Sequence, residues 1–272
     1  MKIGSREFII GKRTYIMAIL NITPDSFSDG GLFITIDAAI ERAKKMVKEG
    51  ADIIDIGGES TRPGHIQLTA EEEIKRVAPI IEALRKEIDV PISIDTWKAS
   101  VAEMAIKVGA SMVNDIWGLK KDKEISKVIK KYNVPCCLMH NREQLEYKNL
   151  INDMKIDINE SLQIAKAAGI AKENIMLDPG IGFAKNLEQN MEVMRNLESL
   201  REIGYPLLLG TSRKSMIGLT LELPVNERVE GTLATTVIGI MKGIDFVRVH
   251  DVKENKRTAM MADAIIRNNE YQ

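Results

Sequence analysis

Short apolar runs alternate along the chain with longer segments in which apolar residues recur every three or four positions. The apolar runs are rich in aliphatic residues and lie at Tyr15–Leu20, Asp52–Ile56, Pro91–Ile94, Ser111–Val113, Val134–Met139, Ile175–Leu177, Pro206–Leu209 and Asp245–Val249. Uninterrupted runs of this kind are typical of parallel strands that are buried on both faces. The pattern therefore predicts about eight parallel strands.

The segments between the runs have the period of amphipathic helices. In Glu71–Ile88, Ile74 and Val77 begin an apolar stripe, and Thr69 with Glu72 predicts a capping box at the helix start. The same period predicts helices at Glu41–Lys48, Val101–Val108, Ile125–Lys131, Ile158–Ala168, Met191–Ile203, Glu230–Met241 and Lys253–Ile266. Glycines stand where several of these helices should end, at Gly50, Gly109, Gly169, Gly204 and Gly243.

Eight strand–helix units in about 250 residues predict a (β/α)8 TIM barrel of the α/β class. An open doubly wound sheet is the main alternative, but it usually has fewer strands and a glycine-rich first turn. No G-x-G-x-x-G motif follows the first strand here. Arg6–Ile10 and the residues from Thr14 onward predict a short N-terminal hairpin that closes the barrel bottom. Since composition changes nowhere along the chain, residues 1–272 are predicted to form a single domain.

Composition argues against several classes of protein: nucleic-acid-binding, membrane, secreted and disulfide-rich proteins. Lys and Arg number 38 against 39 Asp and Glu, so the net charge of −1 gives no footprint for nucleic acid or anionic membranes. Neither a secretory signal at Met1–Ile10 nor an apolar run long enough to span a membrane is present. The adjacent Cys136 and Cys137 lie in an apolar run and are predicted to be buried thiols, and a count of two cysteines excludes a disulfide framework. We expect a cytoplasmic protein.

Polar side chains follow each predicted strand. They include Asn21, Glu59, Asp95, Asn114, His140, Asp178, Lys214, Arg248 and His250. Any one of them could be a helix cap or a turn former. Because the carboxyl ends of the strands of a barrel meet at one face, their recurrence after every strand is better explained by a polar pocket of mixed charge.

The residue types indicate a class of ligand. A planar heterocycle with a guanidine-like edge pairs with a carboxylate such as Asp95 or Asp178 through two parallel hydrogen bonds. The flat guanidinium of Arg248 can stack on a ring or bind a phosphate. Asn21 and Asp29 offer hard oxygen donors that suit Mg²⁺. The pattern fits a planar heterocyclic substrate that carries an anionic leaving group.

Two long motifs, Ile16–Gly31 and Gly50–Gly64, resemble the signatures of the dihydropteroate synthases. Further matching pieces follow in the family's order, at Ser93–Thr96, Val113–Asp115, Leu138–Asn141, Leu177–Phe183, Gly210–Ser215 and Val247–Asp251. The resemblance covers essentially the whole chain. The family fold is a (β/α)8 barrel, in agreement with the strand count.

The resemblance implies a transferase of folate biosynthesis. Members of the family join 6-hydroxymethyl-7,8-dihydropterin diphosphate to 4-aminobenzoate, with Mg²⁺, and release diphosphate and 7,8-dihydropteroate. The resemblance also implies a cytoplasmic homodimer that is a sulfonamide target.

Site residues follow from the resemblance position by position. The pterin-binding residues would be Asp95, Asn114, Met139, Asp178, Lys214 and Arg248. The diphosphate-binding residues would be Asn21, Arg248 and His250, with Asn21 as the Mg²⁺ ligand. The aminobenzoate-binding residues would be Thr61, Arg62, Pro63, Phe183, Lys214 and Ser215. The catalytic residues would be Asp95, Lys214, Arg248 and Asp29. The loops that close over the site would be Thr23–Phe33 and Thr61–Gln67.

Two alternative functions stay open. A methyltetrahydrofolate–corrinoid methyltransferase is another pterin-binding barrel, but it does not need the Asn21–Gly31 loop or Ser212–Ser215. A non-catalytic pterin-binding protein would share the fold, and the intact polar residues at every strand end argue against it.

Overall fold

The computed structural model describes residues 1–22, 36–59 and 67–267. Two short antiparallel strands come first, β1 (Lys2–Ile3) and β2 (Arg6–Glu7). A parallel sheet follows, made of β3 (Tyr15–Asn21), β4 (Ile53–Gly57), β5 (Ile92–Asp95), β6 (Met112–Asp115), β7 (Cys136–Met139), β8 (Ile175–Asp178), β9 (Leu208–Leu209) and β10 (Phe246–Val249).

The order of strands in the sheet shows that the sheet curls into a barrel. Neighbouring strands pair in the order β8-β7-β6-β5-β4-β3-β10-β9. A parallel bridge between Leu177 and Leu207 joins the two edges, so the barrel is nearly closed. The predicted (β/α)8 fold is confirmed.

Helices cover the outside of the barrel. They are α1 (Ile36–Glu49), α2 (Ala70–Glu87), α3 (Ala99–Val108), α4 (Ile125–Tyr132), α5 (Leu150–Ala167), α6 (Leu187–Arg195), α7 (Leu197–Arg201), α8 (Ser215–Leu221), α9 (Val229–Met241) and α10 (Val252–Ile266). The capping box of Thr69 and Glu72 is present at the start of α2. The five glycines predicted to end helices all have positive φ, which an L side chain rarely adopts. Within the described ranges of the chain, no helix is both long and apolar enough to cross a membrane.

The predicted position of the N-terminal hairpin was wrong. β1 and β2 turn at Gly4, whose φ of +57° suits a tight turn, whereas the prediction paired Arg6–Ile10 with residues from Thr14. After β2 the chain continues as irregular structure, and the ring of Phe8 is buried against the barrel bottom. A short N-terminal hairpin is therefore present, as predicted, but it turns at Gly4 and not between Ile10 and Thr14.

Three helices also differ from the prediction. The helix predicted at Ile158–Ala168 begins at Leu150, because the side chain of Asn149 caps its first turn. The helix predicted at Met191–Ile203 is divided into α6 and α7 at Asn196. The short α8 was not predicted.

Apolar side chains fill the lower half of the barrel. This cluster consists of Ile3, Phe8, Tyr15, Met17, Ile53, Met112, Cys137, Met176, Leu208 and Phe246. Burial raises the pKa of both Cys136 and Cys137, as expected for inert buried thiols. Because the lower half is packed with apolar groups, polar chemistry is left to the upper end, where the strands terminate.

Candidate active site

Alternation along the strands places the polar residues above the apolar cluster. In a strand, residues two positions apart lie on the same face. Five inward residues of the apolar cluster are thus each followed, two positions later, by another inward residue. The pairs are Ile53 and Asp55, Met112 and Asn114, Cys137 and Met139, Met176 and Asp178, and Phe246 and Arg248. Within two residues the inward side chain therefore changes from apolar to polar or charged in β4, β6, β8 and β10, whereas β7 continues with Met139.

Arg248 lies at the centre of these polar groups. Its Nε donates to Oδ2 of Asp55 and its Nη2 donates to Oδ2 of Asp95, both at 2.6 Å. The amide of Asn114 also donates to Oδ2 of Asp55, at 3.1 Å. We call these four residues the Arg248 cluster. It confirms that Asp95, Asn114 and Arg248, predicted as neighbours from three separate strand ends, lie together.

Asp55 is a member of this cluster that the sequence analysis did not select. Its side chain is fully buried, and its Oδ1 has no hydrogen-bond partner among the described residues. A buried carboxylate oxygen without a partner is costly, so such a group is expected to serve a ligand or a charge. The available signal was a single Asp inside the apolar run of β4 at an inward position.

Asp178 and Lys214 form a second polar group beside Arg248. Because Gly210 has no side chain, a Cβ added there would lie 3.7 Å from Oδ2 of Asp178, 3.8 Å from Cβ of Arg248 and 3.9 Å from Nζ of Lys214. Oδ1 of Asp178 accepts from the Gly180 amide at 2.7 Å. Glycine at 210 keeps a space open between the cation and the carboxylate.

Burial shifts the pKa values of these groups toward their neutral forms. It raises the pKa of Asp95 to about 7, although the neighbouring Arg248 acts in the opposite direction. Burial also raises the pKa of Asp178 and lowers the pKa of Lys214 to about 8. The pKa of Arg248 rises despite burial, because Asp55 and Asp95 stabilise the guanidinium. Asp95 and Lys214 therefore titrate close to neutral pH.

Asn21 ends β3 at the edge of the Arg248 cluster. A Cβ on Gly57 would lie 3.7 Å from Oδ1 of Asn21 and 3.6 Å from Oδ2 of Asp95, so both oxygens flank this glycine. Among the described residues, no three His, Cys, Asp or Glu side chains converge as a metal site. One amide oxygen fits a Mg²⁺ ion that takes its other ligands from water and phosphate, as this ion commonly does.

A pocket of about 350 Å³ opens beside Asp95. Its lining consists of Glu59, Gln67, Glu73, Asp95, Thr96, Trp97, Ile116, Trp117, Lys121, Asn141 and Phe183. Asp115 holds the loop after β6, because its carboxylate accepts from the amides of Trp117 and Leu119 at 2.8 and 2.7 Å. Two indole rings and the Phe183 ring give this pocket flat apolar walls, with a carboxylate at its inner end.

The remaining predicted residues that the structure describes lie at or just after the carboxyl ends of β7, β8, β9 and β10. His250 follows β10, and its Nδ1 lies 2.9 Å from Oγ of Ser212. The ammonium of Lys214 lies 4.8 Å from the centre of the Phe183 ring and donates to the carbonyl of Ile181. Ser215 begins α8 and is exposed. Met139 is buried at the end of β7.

Several predicted site residues lie outside the described residues. They are Asp29, Thr61, Arg62 and Pro63, together with the loop Thr23–Phe33 and all of Thr61–Gln67 except Gln67 itself. Their assignments stay predictions.

A buried lysine cluster on the rim was also missed from the sequence. Nζ of Lys98 donates to Glu59 at 2.5 Å, to Glu73 at 2.7 Å and to the carbonyl of Leu68 at 2.8 Å. Burial raises the pKa of Glu73. The cluster fixes the described residues on both sides of segment 60–66. Sequence spacing offered no signal for it, because its members come from three distant segments.

Comparison with known proteins identifies close relatives. The profile of a family described as pterin binding enzymes matches residues 17–250. A protein from Clostridium beijerinckii named dihydropteroate synthase is 66% identical over 268 residues, which are 98% of this chain and 100% of that protein. A crystal structure of dihydropteroate synthase from Clostridium difficile, in the presence of pteroic acid, has a TM-score of 0.94 and 56% identity, covering 96% of this chain and 100% of that one. A structure of the Xanthomonas albilineans dihydropteroate synthase with 4-aminobenzoic acid has a TM-score of 0.90 and 37% identity, covering 94% of both chains.

Proposed function

The chain belongs to the dihydropteroate synthases, and from this premise we propose that its Arg248 cluster binds the dihydropterin and that the neighbouring rim binds 4-aminobenzoate. The protein is a transferase of folate biosynthesis. Its reaction joins 6-hydroxymethyl-7,8-dihydropterin diphosphate to 4-aminobenzoate and releases diphosphate and 7,8-dihydropteroate. The residue roles and the ion given below are proposals.

The convergence of charged side chains around Arg248 and Gly210 is the observation that carries the site assignment. The aminopyrimidinone edge of a pterin resembles guanidine, and the carboxylate of Asp178 can accept two parallel hydrogen bonds from it. Asp95 and Asn114 offer an acceptor and an amide to the other side of the ring. Lys214 donates on the carbonyl side. Met139 and the guanidinium of Arg248 pack on the faces of the ring.

The first half of the reaction breaks a carbon–oxygen bond. The bond from the pterin methylene group to diphosphate opens, the electron pair leaves with diphosphate, and the positive charge spreads over the dihydropterin. Asp55 and Asp95 would stabilise that charge, because both carboxylates are fixed by Arg248 beside the proposed ring site. Arg248 and His250 hold the departing diphosphate. Asn21 would ligate Mg²⁺, which when bound offsets the negative charge of the diphosphate.

The second half of the reaction forms a carbon–nitrogen bond. The aniline nitrogen of 4-aminobenzoate attacks the methylene carbon and then releases a proton to water or to diphosphate. This nitrogen is neutral at pH 7, so the reaction needs no strong general base. Phe183, Lys214 and Ser215 would hold 4-aminobenzoate on the rim, with Thr61, Arg62 and Pro63, and Asp29 would act near the reacting carbon.

Product formation by the purified protein tests this proposal. Given dihydropterin diphosphate, Mg²⁺ and 4-aminobenzoate, we expect diphosphate release that depends on 4-aminobenzoate and yields dihydropteroate in equal amount. Removal of Mg²⁺ with a chelator should abolish most of the turnover. Methyl transfer from methyltetrahydrofolate without diphosphate release would instead favour the methyltransferase, and pterin binding without turnover would favour a binding protein.

We also propose a homodimer that forms through the helices of the last units. Large exposed apolar side chains concentrate there among the described residues: Leu219, Leu221, Val225, Ile238, Met241, Met260, Met261, Ile265 and Ile266. An apolar concentration of this size on a surface commonly marks a protein interface. The cytoplasmic location and sensitivity to sulfonamides stay predictions from the family.

The dimer prediction is tested with two matched substitutions. Ile265→Asp, at a side chain that is 69% exposed on α10, should convert the dimer to a monomer in sedimentation velocity, because a charge would be buried in the interface. Ile156→Asp, at a 67% exposed position on α5, should leave the dimer intact. A wild-type monomer, or equal behaviour of the two variants, would contradict the proposed interface.

A further inference from the structure

A short turn between β8 and α6 carries Phe183 to the rim of the site. The turn adopts unusual backbone angles, with φ of +67° at Gly180, +82° at Gly182 and +48° at Ala184. A non-glycine residue in the left-handed region costs conformational energy, so contacts from elsewhere must hold the turn in place. Lys185 supplies such contacts, since its Nζ donates to the carbonyls of Gly180 and Phe183, each at 3.0 Å.

The third contact of the Lys185 ammonium is with His140 at the end of β7. Nζ of Lys185 lies 2.9 Å from Nδ1 of His140, and Nε2 of His140 lies 2.9 Å from Oδ2 of Asp157 on α5. An ammonium only donates, so Nδ1 accepts and the imidazole proton is on Nε2, where the Asp157 carboxylate accepts it. Burial lowers the pKa of His140 to about 4, which agrees with a neutral ring.

We propose that Lys185 is a positioning residue that fixes Phe183 in the 4-aminobenzoate subsite, with His140 and Asp157 orienting the lysine from behind. The inference rests on the proposed function, because it takes Phe183 to contact 4-aminobenzoate. Lys185 satisfies three acceptors with its three N–H groups, and two of these acceptors are the carbonyls that bracket residues 181 and 182. Lys185 acts through the turn, because its hydrogen-bond partners among the described residues are two carbonyls of the turn and His140, outside the Arg248 cluster.

Burial and the charges around Lys185 make its hydrogen bonds to the turn, here called the Lys185 clamp, sensitive to pH. The carboxylates of Asp178 at the end of β8 and Asp157 on α5 stabilise the charged form of Lys185. The cations of Lys214 at the start of α8 and Arg142 after β7 destabilise it. The charge of Lys120 lowers the pKa of His140, the partner of Lys185. Burial is the largest influence, and the pKa of Lys185 falls to about 7. Above this pH the neutral amine has only two N–H groups for three acceptors, so the hold on the turn weakens.

The test compares KM for the two substrates in Lys185→Met. We expect KM for 4-aminobenzoate to rise about tenfold, while KM for dihydropterin diphosphate changes less than about twofold. The ratio of variant to wild-type KM for 4-aminobenzoate should be largest near pH 6 and should fall toward pH 9, since the wild type loses its own clamp there. Because Lys185 and Lys214 repel each other, Lys185→Met also shifts the titration of Lys214, and KM for dihydropterin diphosphate over the same pH range measures that contribution separately.

Lys120→Met is the matched control. Lys120 is a lysine of the same rim whose Nζ donates to the Asn141 carbonyl at 3.0 Å, and it does not contact the turn. This variant should keep both KM values. Phe183→Ala serves as the reference for the subsite and should raise KM for 4-aminobenzoate by at least as much as Lys185→Met.

Tyr147→Phe keeps the proposal testable where Lys185→Met does not fold. The Tyr147 hydroxyl donates to the Ala184 carbonyl at 2.9 Å, so its loss loosens the same turn without removing a buried cation. We expect a two- to threefold rise in KM for 4-aminobenzoate only, by about the effect of one hydrogen bond. If Phe183→Ala raises this KM but Lys185→Met and Tyr147→Phe do not, the positioning role is wrong and the proposed function stands. If Phe183→Ala leaves it unchanged, the subsite itself is wrongly placed.

Discussion

Asp95→Asn is expected to lower kcat/KM for dihydropterin diphosphate by about 10²- to 10³-fold. The amide keeps the size of the side chain but removes the negative charge beside the dihydropterin cation. It also replaces the carboxylate that accepts from Nη2 of Arg248 at 2.6 Å, so among the described residues Asp55 alone still forms an ion pair with the guanidinium. Steady-state kinetics with both substrates measures the loss.

Asp95→Asn should be no less stable than the wild type at pH 8, because the substitution keeps the size of the side chain and removes a buried charge. The sign of the charge effect supports this. Burial raises the pKa of Asp95 in the folded protein to about 7, above its pKa in the unfolded chain. Ionisation of this group therefore lowers the stability of the fold as the pH rises from the unfolded pKa to the folded pKa. Removing the charge therefore takes away no net stability at pH 8. Thermal unfolding at pH 6 and pH 8 checks this.

The pH dependence separates the catalytic role of Asp95 from a structural one. Wild-type kcat/KM should fall below pH about 7, where the carboxylate is protonated, and the variant should lack this acid limb. Asp89→Asn is the matched control, since Asp89 is 83% exposed and pairs with Arg6 of the N-terminal hairpin. Turnover of Asp95→Asn within threefold of the wild type would refute the assignment.

Much of the site was predictable because a parallel barrel converts strand ends into neighbours. Asp95, Asn114 and Arg248 lie on three different strands, yet each comes at an inward position near the end of its strand. Strand register places Asp95 beside Asn114, Arg248 donates to Asp95, and Asn114 donates to the Asp55 carboxylate that also accepts from Arg248. Asp55 follows the same rule two residues after Ile53, but it lies inside an apolar run and was counted as part of the strand. Looking for charged residues inside apolar runs would have found it.

The Lys98 and Lys185 clusters could not be predicted in this way. Lys98 contacts residues on both sides of segment 60–66, and Lys185 contacts a histidine on another strand end and, through it, a carboxylate on α5. Such contacts depend on side-chain directions in loops, for which spacing along the chain has no period. The predicted hairpin position was wrong because the chain turns at Gly4, whereas the prediction placed the turn between Ile10 and Thr14.

Lys214→Ala is expected to lower kcat/KM by about 10²- to 10³-fold for both substrates, because this lysine lies between the two proposed subsites. Its ammonium is 4.8 Å from the Phe183 ring, donates to the Ile181 carbonyl and lies across Gly210 from Asp178. Without it, Asp178 loses the main charge that opposes its burial, so the pKa of Asp178 should rise further and its carboxylate should bind the pterin edge less well.

An alkaline limb identifies the charged form of Lys214 as the active one. Burial lowers the pKa of Lys214 to about 8, so wild-type kcat/KM for dihydropterin diphosphate, whose proposed subsite the Lys185 clamp does not contact, should fall above this pH as the ammonium loses its proton, and Lys214→Ala should lack this limb. Lys120→Ala, on the same rim, should keep the limb. Lys185→Met should raise only the KM for 4-aminobenzoate, whereas Lys214→Ala should impair both substrates. Normal kcat/KM values for both substrates in Lys214→Ala would contradict this role. The ammonium of Lys214 would then take no part in the reaction, and the carboxylates of Asp55, Asp95 and Asp178 would bind the pterin without its help.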